Sequence, residues 1–83
     1  MDANTIFERV SDILSKQLHI EKNKIQEDSL IAQDLGADSL DTAEIAMMIK
    51  DEFDFDLSDD QIQSIKQVSD IVQILSSNEA KAK

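Results

Sequence analysis

Apolar residues recur at helical spacing in separate parts of this 83-residue chain, and this periodicity constrains the fold more than any other feature. Alternation of apolar and polar residues, which is typical of strands, occurs nowhere over a useful length. The chain is therefore predicted to be all-α. The first helical face has i, i+4, i+7, i+8, i+12 spacing and consists of Ile6, Val10, Ile13, Leu14 and Leu18.

Sequence signals at helix ends locate the first two helices. Thr5 and Glu8 have capping-box spacing, so the first helix is expected to begin within two residues of Asn4 or Thr5. Asp38 is expected to cap a second helix that runs to about Phe53.

A short third helix and a longer last helix follow. Ser58 and Gln61 repeat the capping-box spacing and predict a short helix that carries Ile62 and Ile65. The last helix is predicted from an i, i+3, i+4, i+7 stripe: Val68, Ile71, Val72 and Leu75. The prediction is thus a four-helix bundle of three longer helices and one short third helix. It forms one domain over residues 1–77, and residues 78–83 are a frayed C-terminal tail.

Residues 19–38 interrupt the helical pattern and are predicted to form a long loop between helices one and two. Nearly twenty residues of loop is unusual in a small domain, and such loops tend to be functional. The loop is expected to fold back onto the core through its apolar residues: Ile20, Ile25, Leu30, Ile31 and Leu35.

Negative charge is concentrated in the middle third of the chain. The net charge is −10, and residues 34–60 hold ten acidic residues against Lys50 alone. This charge argues against binding to a nucleic-acid backbone and favours basic protein partners. The chain has no cysteine, which excludes disulfides and thiolate metal sites. No apolar run approaches the ~20 residues that span a bilayer, and no secretory signal opens the chain, so a cytoplasmic protein is expected.

Alternate acidic and hydroxyl residues at positions 54 to 60 resemble the first half of a calcium-binding loop. Asp59, however, stands where that loop needs glycine, and Ile65 where it needs the closing glutamate. The only histidine, His19, has no neighbouring ligand residues. No metal site is predicted.

The second helix has apolar residues on two opposite sides. Ile45, Ile49 and Phe53 share one side, which is predicted to face the core. The other side carries Leu40, Ala43 and Met47, with Glu44 and Asp51 beside them. Because one helix in so small a protein cannot bury both sides, the second side is interpreted as a docking surface for a basic partner.

Ser39 lies three residues after the only glycine, Gly36, at the predicted junction between the loop and the second helix. A nucleophilic serine needs a base, and no histidine lies nearby in the sequence. The glycines of a nucleophile elbow are also missing, since Ala37 and Asp41 occupy their positions. No catalytic residue is predicted. Judged by chemistry alone, Ser39 is a structural residue at a helix start.

The segment from Asp34 to Asp41, D-L-G-A-D-S-L-D, resembles the phosphopantetheine-attachment motif of acyl carrier proteins. The chain is most similar to the freestanding carriers of dissociated (type II) bacterial fatty-acid synthesis. The resemblance implies that Ser39 receives 4′-phosphopantetheine from coenzyme A and carries it through a phosphodiester. Acyl chains would be held on that arm as thioesters and shuttled between enzymes. Asp38 and Leu40 match the flanking positions that the modifying synthase reads.

The same resemblance implies which residues dock partner enzymes. Apolar contacts are expected from Leu40, Ala43 and Met47, and Lys50 stands where an acid is usual. The expected partners of the monomer are a phosphopantetheinyl transferase (holo-carrier synthase), ketosynthases, acyl and malonyl transferases, reductases and dehydratases. Carboxylates are expected at Asp41, Glu44, Asp51 and Glu52.

A fatty acyl chain left in water costs about 0.8 kcal/mol per exposed CH₂. The bundle is therefore expected to open slightly and shelter the chain, with the adaptable Met47 and Met48 beside isoleucine and leucine side chains. Two other functions stay open at this point. One is a specialised carrier of polyketide or lipid A type precursors, and the other is an acidic protein-interaction module that is never modified.

Overall fold

The structure is a computed structural model that describes the backbone of residues 2–81 and the side chains of residues 2–77. This part of the chain contains a 3₁₀ turn at Lys22–Lys24. No strand forms in residues 2–81, where Leu30 and Gln67 make an isolated antiparallel bridge. The predicted all-α fold of three longer helices and one short one is confirmed. The helices are α1 (Ala3–Leu18), α2 (Ser39–Phe53), α3 (Asp59–Ser64) and α4 (Val68–Lys81).

The core lies where α1 packs against α2 and α4. The predicted stripes of α1 and α4 are buried there except for Leu18, which is half-buried, and the buried Ile45 and Ile49 of α2 belong to the same core. Phe53 closes the α2 stripe at the margin of the core, where it is half-buried. The helical stripes of α1 and α4 contribute eight buried side chains to this core: Ile6, Val10, Ile13, Leu14, Val68, Ile71, Val72 and Leu75.

The loop between α1 and α2 returns to the core at four of its five apolar residues. Ile25 and Ile31 are buried, and Ile20 and Leu35 pack half-buried against the core. Leu30 is exposed, contrary to the prediction. Leu30 nevertheless lines, together with Ile31, the apolar space between this loop and α2.

Backbone hydrogen bonds fasten this loop to the start of α4. The N–H of Ile31 donates to the Lys66 carbonyl at 2.9 Å, and the N–H of Val68 donates to the Ser29 carbonyl at 3.1 Å. These bonds satisfy polar groups that would otherwise be costly so close to the core. They also hold the segment that leads into α2.

The first helix begins at Ala3, within two residues of its predicted start, but its cap is not the predicted one. Asp2 caps α1 by accepting a hydrogen bond from the Thr5 N–H at 2.8 Å. That bond lowers the pKa of the Asp2 carboxyl. Aspartate is a strong N-cap residue and lies three positions before Thr5, so the spacing of Thr5 and Glu8 is not used as a capping box.

The later helix boundaries follow the sequence signals more closely. Ser58 caps α3 through the predicted capping box with Gln61, and Ile65 ends that helix. Helix α4 continues to Lys81, past the end of its apolar stripe at Leu75. The side chains of the predicted tail, residues 78–83, lie outside the described residues, so the domain boundary at residue 77 stays a prediction. None of the described helices combines the length and the apolar character needed to cross a membrane.

Candidate functional site

The turn before α2 depends on Gly36, whose φ of +79° favours glycine. Its N–H donates to the Ala32 carbonyl at 3.1 Å, and the next N–H, of Ala37, donates to the Ile31 carbonyl at 3.1 Å. The Ala37 side chain is buried and anchors the chain one residue before Asp38. A Cβ on Gly36 would meet no atom within 4 Å, so glycine is required by backbone conformation alone.

Asp34, the first residue of the D-L-G-A-D-S-L-D segment, closes the same turn. Its Oδ2 accepts a hydrogen bond from the Leu30 N–H at 2.8 Å. Its own N–H donates to the Leu30 carbonyl at 2.8 Å. These reciprocal bonds give Asp34 a structural role in shaping the path of the chain toward Ser39.

Asp38 and Asp41 form a capping box at the start of α2, as the sequence predicted for Asp38. The Asp41 N–H donates to Asp38 Oδ1 at 2.9 Å, and the Asp38 N–H donates to Asp41 Oδ2 at 3.3 Å. The Thr42 hydroxyl adds a bond to the Asp38 carbonyl at 3.0 Å. The first turn is therefore fixed by Asp38, Asp41 and Thr42, and the Ser39 side chain takes no part.

Ser39 is the first residue of α2 and is exposed. Its hydroxyl has no hydrogen-bond partner among residues 2–77. The positive end of the helix dipole favours negative charge at this position, typically by about 0.3–1 kcal/mol. A phosphodiester on Ser39 would thus lie at a helix end suited to it and point into solvent.

The predicted second apolar side of α2 faces solvent. Leu40 and Met47 are each 68 % exposed, and Ala43 between them is exposed as well. Large apolar side chains grouped on one exposed helix face are the kind of feature that contact surfaces use. Their exposure is confirmed, whereas their role in docking stays a prediction.

The predicted docking carboxylates differ in their surroundings. Asp41 and Glu44 both accept hydrogen bonds from the side-chain amide of Gln17, which belongs to α1. Asp51 is exposed and bonds no side chain in the described part of the chain. Asp41 is the most covered of these three because it also serves the capping box.

Glu52, the fourth predicted carboxylate, is paired inside the molecule. Its Oε2 lies 3.2 Å from Arg9 Nη2, and both side chains are a little over 40 % exposed. The Arg9 guanidinium also lies over the Phe53 ring, 5.8 Å from its centroid. A partner that engages Glu52 must compete with Arg9.

Sequence reasoning missed Gln17 and Arg9 as neighbours of this surface. Both lie beside the apolar stripe of α1, where the sequence reveals no pairing. Their contacts depend on how α1 packs against α2, which helical periodicity does not specify. A polar residue at the edge of a predicted stripe is the only signal that could have indicated them.

An apolar cavity of about 280 Å³ lies between α2, α3, α4 and the first loop. Its lining includes Thr42, which lies about one helical turn beyond Ser39. Lys66 and Gln33 are polar residues on its wall. Isoleucine is the commonest residue of the lining: Ile31, Ile45, Ile49, Ile62, Ile65 and Ile71.

The methionines do not line this cavity, and the expectation that Met47 and Met48 help to shelter an acyl chain stays a prediction. Met47 is exposed on the opposite side of α2. Met48 is half-buried and lines a polar groove between α1 and α2. Around the axis of α2, Met47 and Met48 lie at different angles from Ile45 and Ile49, so neither methionine faces α3.

No three acidic or histidine side chains of the described residues converge as a metal site requires. Asp54 ends α2 in the left-handed region, with φ of 54°. Of the acidic residues that follow it, Asp56 lies in the connection between α2 and α3, and Asp59 and Asp60 lie in the first turn of α3.

Comparisons with known proteins agree with this geometry. The family model for a phosphopantetheine attachment site matches residues 8–75. The chain is 40 % identical over 76 residues to the acyl carrier protein of Guillardia theta, covering 92 % of this chain and 94 % of the relative. It is 36 % identical over 70 residues to that of a Sulfurovum species, covering 84 % and 93 %. It is 39 % identical over 70 residues to that of Clostridium acetobutylicum, covering 84 % and 91 %. The chain belongs to the acyl carrier protein family, whose domain bears a phosphopantetheine attachment site.

Proposed function

We propose that Ser39 is the residue that carries 4′-phosphopantetheine, and that this arm holds the acyl groups of fatty-acid synthesis. Membership of the family makes the chain a carrier that uses this prosthetic group to shuttle acyl chains. In the attachment step, Ser39 Oγ bonds to the β-phosphorus of coenzyme A. The pyrophosphate P–O bond breaks, 3′,5′-adenosine bisphosphate leaves, and the hydroxyl proton goes to solvent or base.

The observation that carries the proposal is the free, exposed hydroxyl of Ser39 at a helix start. The hydroxyls of two other serines near helix ends are occupied by structural hydrogen bonds, and Ser69, the second residue of α4, is half-buried. Ser15 donates to the Ile20 carbonyl at 2.6 Å, and Ser58 accepts from the Gln61 N–H at 3.1 Å. Ser11 is buried in α1. Ser39 is the serine placed within D-L-G-A-D-S-L-D, on a turn rigid enough to present it.

The cavity beside α2 supports sheltering of the acyl chain. Each CH₂ removed from water contributes about 0.8 kcal/mol. The cavity includes Thr42 in its lining and is walled by apolar side chains, so a flexible arm from Ser39 can turn back and deliver a chain into it. Slight separation of α2 and α3 would lengthen the cavity.

The exposed side of α2 supports docking of enzymes that act on the thioester. Leu40, Ala43 and Met47 would enter apolar depressions on a partner, and nearby carboxylates would attract its basic groups. The proposed partners are the holo-carrier synthase, ketosynthases, acyl and malonyl transferases, reductases and dehydratases. A small interface with charge steering suits a carrier that must leave each enzyme quickly. The proposed site of action is the cytoplasm.

Modification in vitro tests the assignment of Ser39. Apo protein is incubated with coenzyme A and a purified holo-carrier synthase, and its intact mass is measured. One phosphopantetheinyl addition is expected for the wild type and none for Ser39→Ala. Ser58→Ala is the matched control and should accept the group. Modification of the Ser39→Ala variant would refute the assignment, provided that its helical circular dichroism is unchanged.

A further inference from the structure

One side chain of α1, Gln17, bonds two carboxylates of α2 at once. Its Nε2 donates to Asp41 Oδ1 at 3.3 Å and to Glu44 Oε2 at 2.5 Å. An amide NH₂ has two hydrogens, so each carboxylate can receive one of them. The amide is neutral, and the two carboxylates keep their negative charge.

These bonds belong to a network that reaches the start of α2. The second oxygen of Asp41, Oδ2, accepts from the Asp38 N–H, and Asp38 Oδ1 accepts from the Asp41 N–H. Glu44, Gln17, Asp41 and Asp38 thus form one continuous chain of hydrogen bonds. It ends next to Ser39.

The network leaves part of Glu44 available to another molecule. Glu44 is exposed, and its Oε1 accepts no hydrogen bond from the described residues. A glutamate on a helix surface normally samples several rotamers, and fixing it on binding costs conformational entropy. Gln17 restricts that freedom before a partner arrives, and pre-organisation of this kind strengthens association.

We propose that Gln17 is a positioning residue of the docking surface, which holds the Glu44 and Asp41 carboxylates ready for a basic side chain of a partner enzyme. The partner group is a lysine or arginine that donates to Glu44 Oε1 while Gln17 keeps Oε2. The inference rests on the proposed function, since it concerns the enzymes that dock beside Ser39. It extends the docking surface from α2 onto α1.

The alternative is that Gln17 only fastens α1 to α2. In that case its loss lowers the stability of the fold and leaves the affinity for a partner unchanged. A separation of KM from kcat and from the melting temperature distinguishes the two roles.

The test measures steady-state transfer from coenzyme A by a purified holo-carrier synthase. Gln17→Leu removes the donor and keeps the size, and Gln17→Glu keeps the shape but places a like charge against both carboxylates. Gln73→Leu is the matched control, because Gln73 is an exposed glutamine of α4 without a hydrogen bond to described side chains. Wild-type protein must first gain the prosthetic group. Failure of that step refutes the proposed function and not this inference.

The expected result is a KM for the carrier raised about fivefold in Gln17→Leu and further in Gln17→Glu, with kcat unchanged. Gln73→Leu should match the wild type. In a Glu44→Ala background the effect of Gln17→Leu should fall below about twofold, because the residue it positions is gone. Three results would each overturn the proposal: an unchanged KM in Gln17→Leu, an equal rise in Gln73→Leu, or an undiminished effect without Glu44.

Discussion

The carboxylates of Asp38 and Asp41 each accept a hydrogen bond from the other residue's backbone N–H, at 2.9 and 3.3 Å, with Ser39 between them. This reciprocal cap satisfies the first turn of α2 without using the serine hydroxyl. The two acidic residues of the attachment segment therefore have a structural task besides any recognition by the modifying enzyme. They hold a helix start at which Ser39 points into solvent.

Replacement of Asp38 separates its capping role from recognition of its charge. Asp38→Ala should lower the free energy of unfolding by about 1 kcal/mol, because it removes the N-cap acceptor. For a domain of this size that corresponds to a melting temperature lower by roughly 4–8 °C. Asp38→Asn should melt close to the wild type, since asparagine caps equally well.

The rate at which phosphopantetheine is transferred from coenzyme A to Asp38→Asn then shows whether the synthase needs the negative charge of Asp38. If the synthase reads the carboxylate, Asp38→Asn is modified more slowly although it is stable. A melting temperature for Asp38→Ala equal to that of the wild type would contradict the capping role.

Gly36 should tolerate substitution poorly for a conformational reason. Gly36→Ala forces a Cβ into the left-handed region at a cost of roughly 1–2 kcal/mol. No steric clash adds to this, because the space around Gly36 is open. Gly36→Asn should be milder, since asparagine visits positive φ more readily. Urea unfolding measures both, and equal stability of Gly36→Ala and the wild type would contradict the argument.

Glu44 should contribute more to docking than Glu52, although both were expected to face basic partners. Glu52 is already paired with Arg9 at 3.2 Å, whereas Glu44 bonds only a neutral amide inside the molecule. Glu44→Gln should slow association with a holo-carrier synthase more than Glu52→Gln, and added salt should reduce the difference. Stopped-flow measurement of the association rate tests this prediction.

Asp28→Asn provides the charge-matched control for these two variants. Asp28 lies in the first loop, outside the acidic segment, and the substitution changes the net charge by the same amount. Equal slowing by all three substitutions would show that only the overall charge of the carrier matters.

The ion pairs of Lys22 with Glu8 and Asp12 are expected to make the protein less stable at high pH, where Lys22 loses its charge. Its pKa is raised above the ordinary 10.5 because Glu8, and then Asp12, accept hydrogen bonds from its ammonium group. Since the folded-state pKa is the higher one, the stabilisation is complete below pH 10.5 and is lost as the pH rises through the folded-state value. Lys22→Met should be less stable than the wild type near neutral pH, and the two should converge above pH 10.5. Urea unfolding across this range checks it, and a difference independent of pH would contradict it.

The sequence predicted the helices well because their apolar stripes and caps are local signals. Ile45 and Ile49 were assigned to the core and Leu40 and Met47 to solvent from the wheel of α2 alone, as found. Contacts between helices could not be predicted from the sequence, because the spacing of residues in α1 does not specify which α2 side chain lies opposite. The bonds from Gln17 and Arg9 belong to this class.

The most direct test of the central claim locates the prosthetic group within the chain. Trypsin cuts after Lys24 and Lys50 and releases residues 25–50, a peptide that contains Ser29 and Ser39 as its only serines. After modification with coenzyme A and a holo-carrier synthase, fragmentation of this peptide by mass spectrometry assigns the added group to one residue. Phosphopantetheine is expected on Ser39 alone. Its presence on Ser29, or on any peptide outside residues 25–50, would contradict the account.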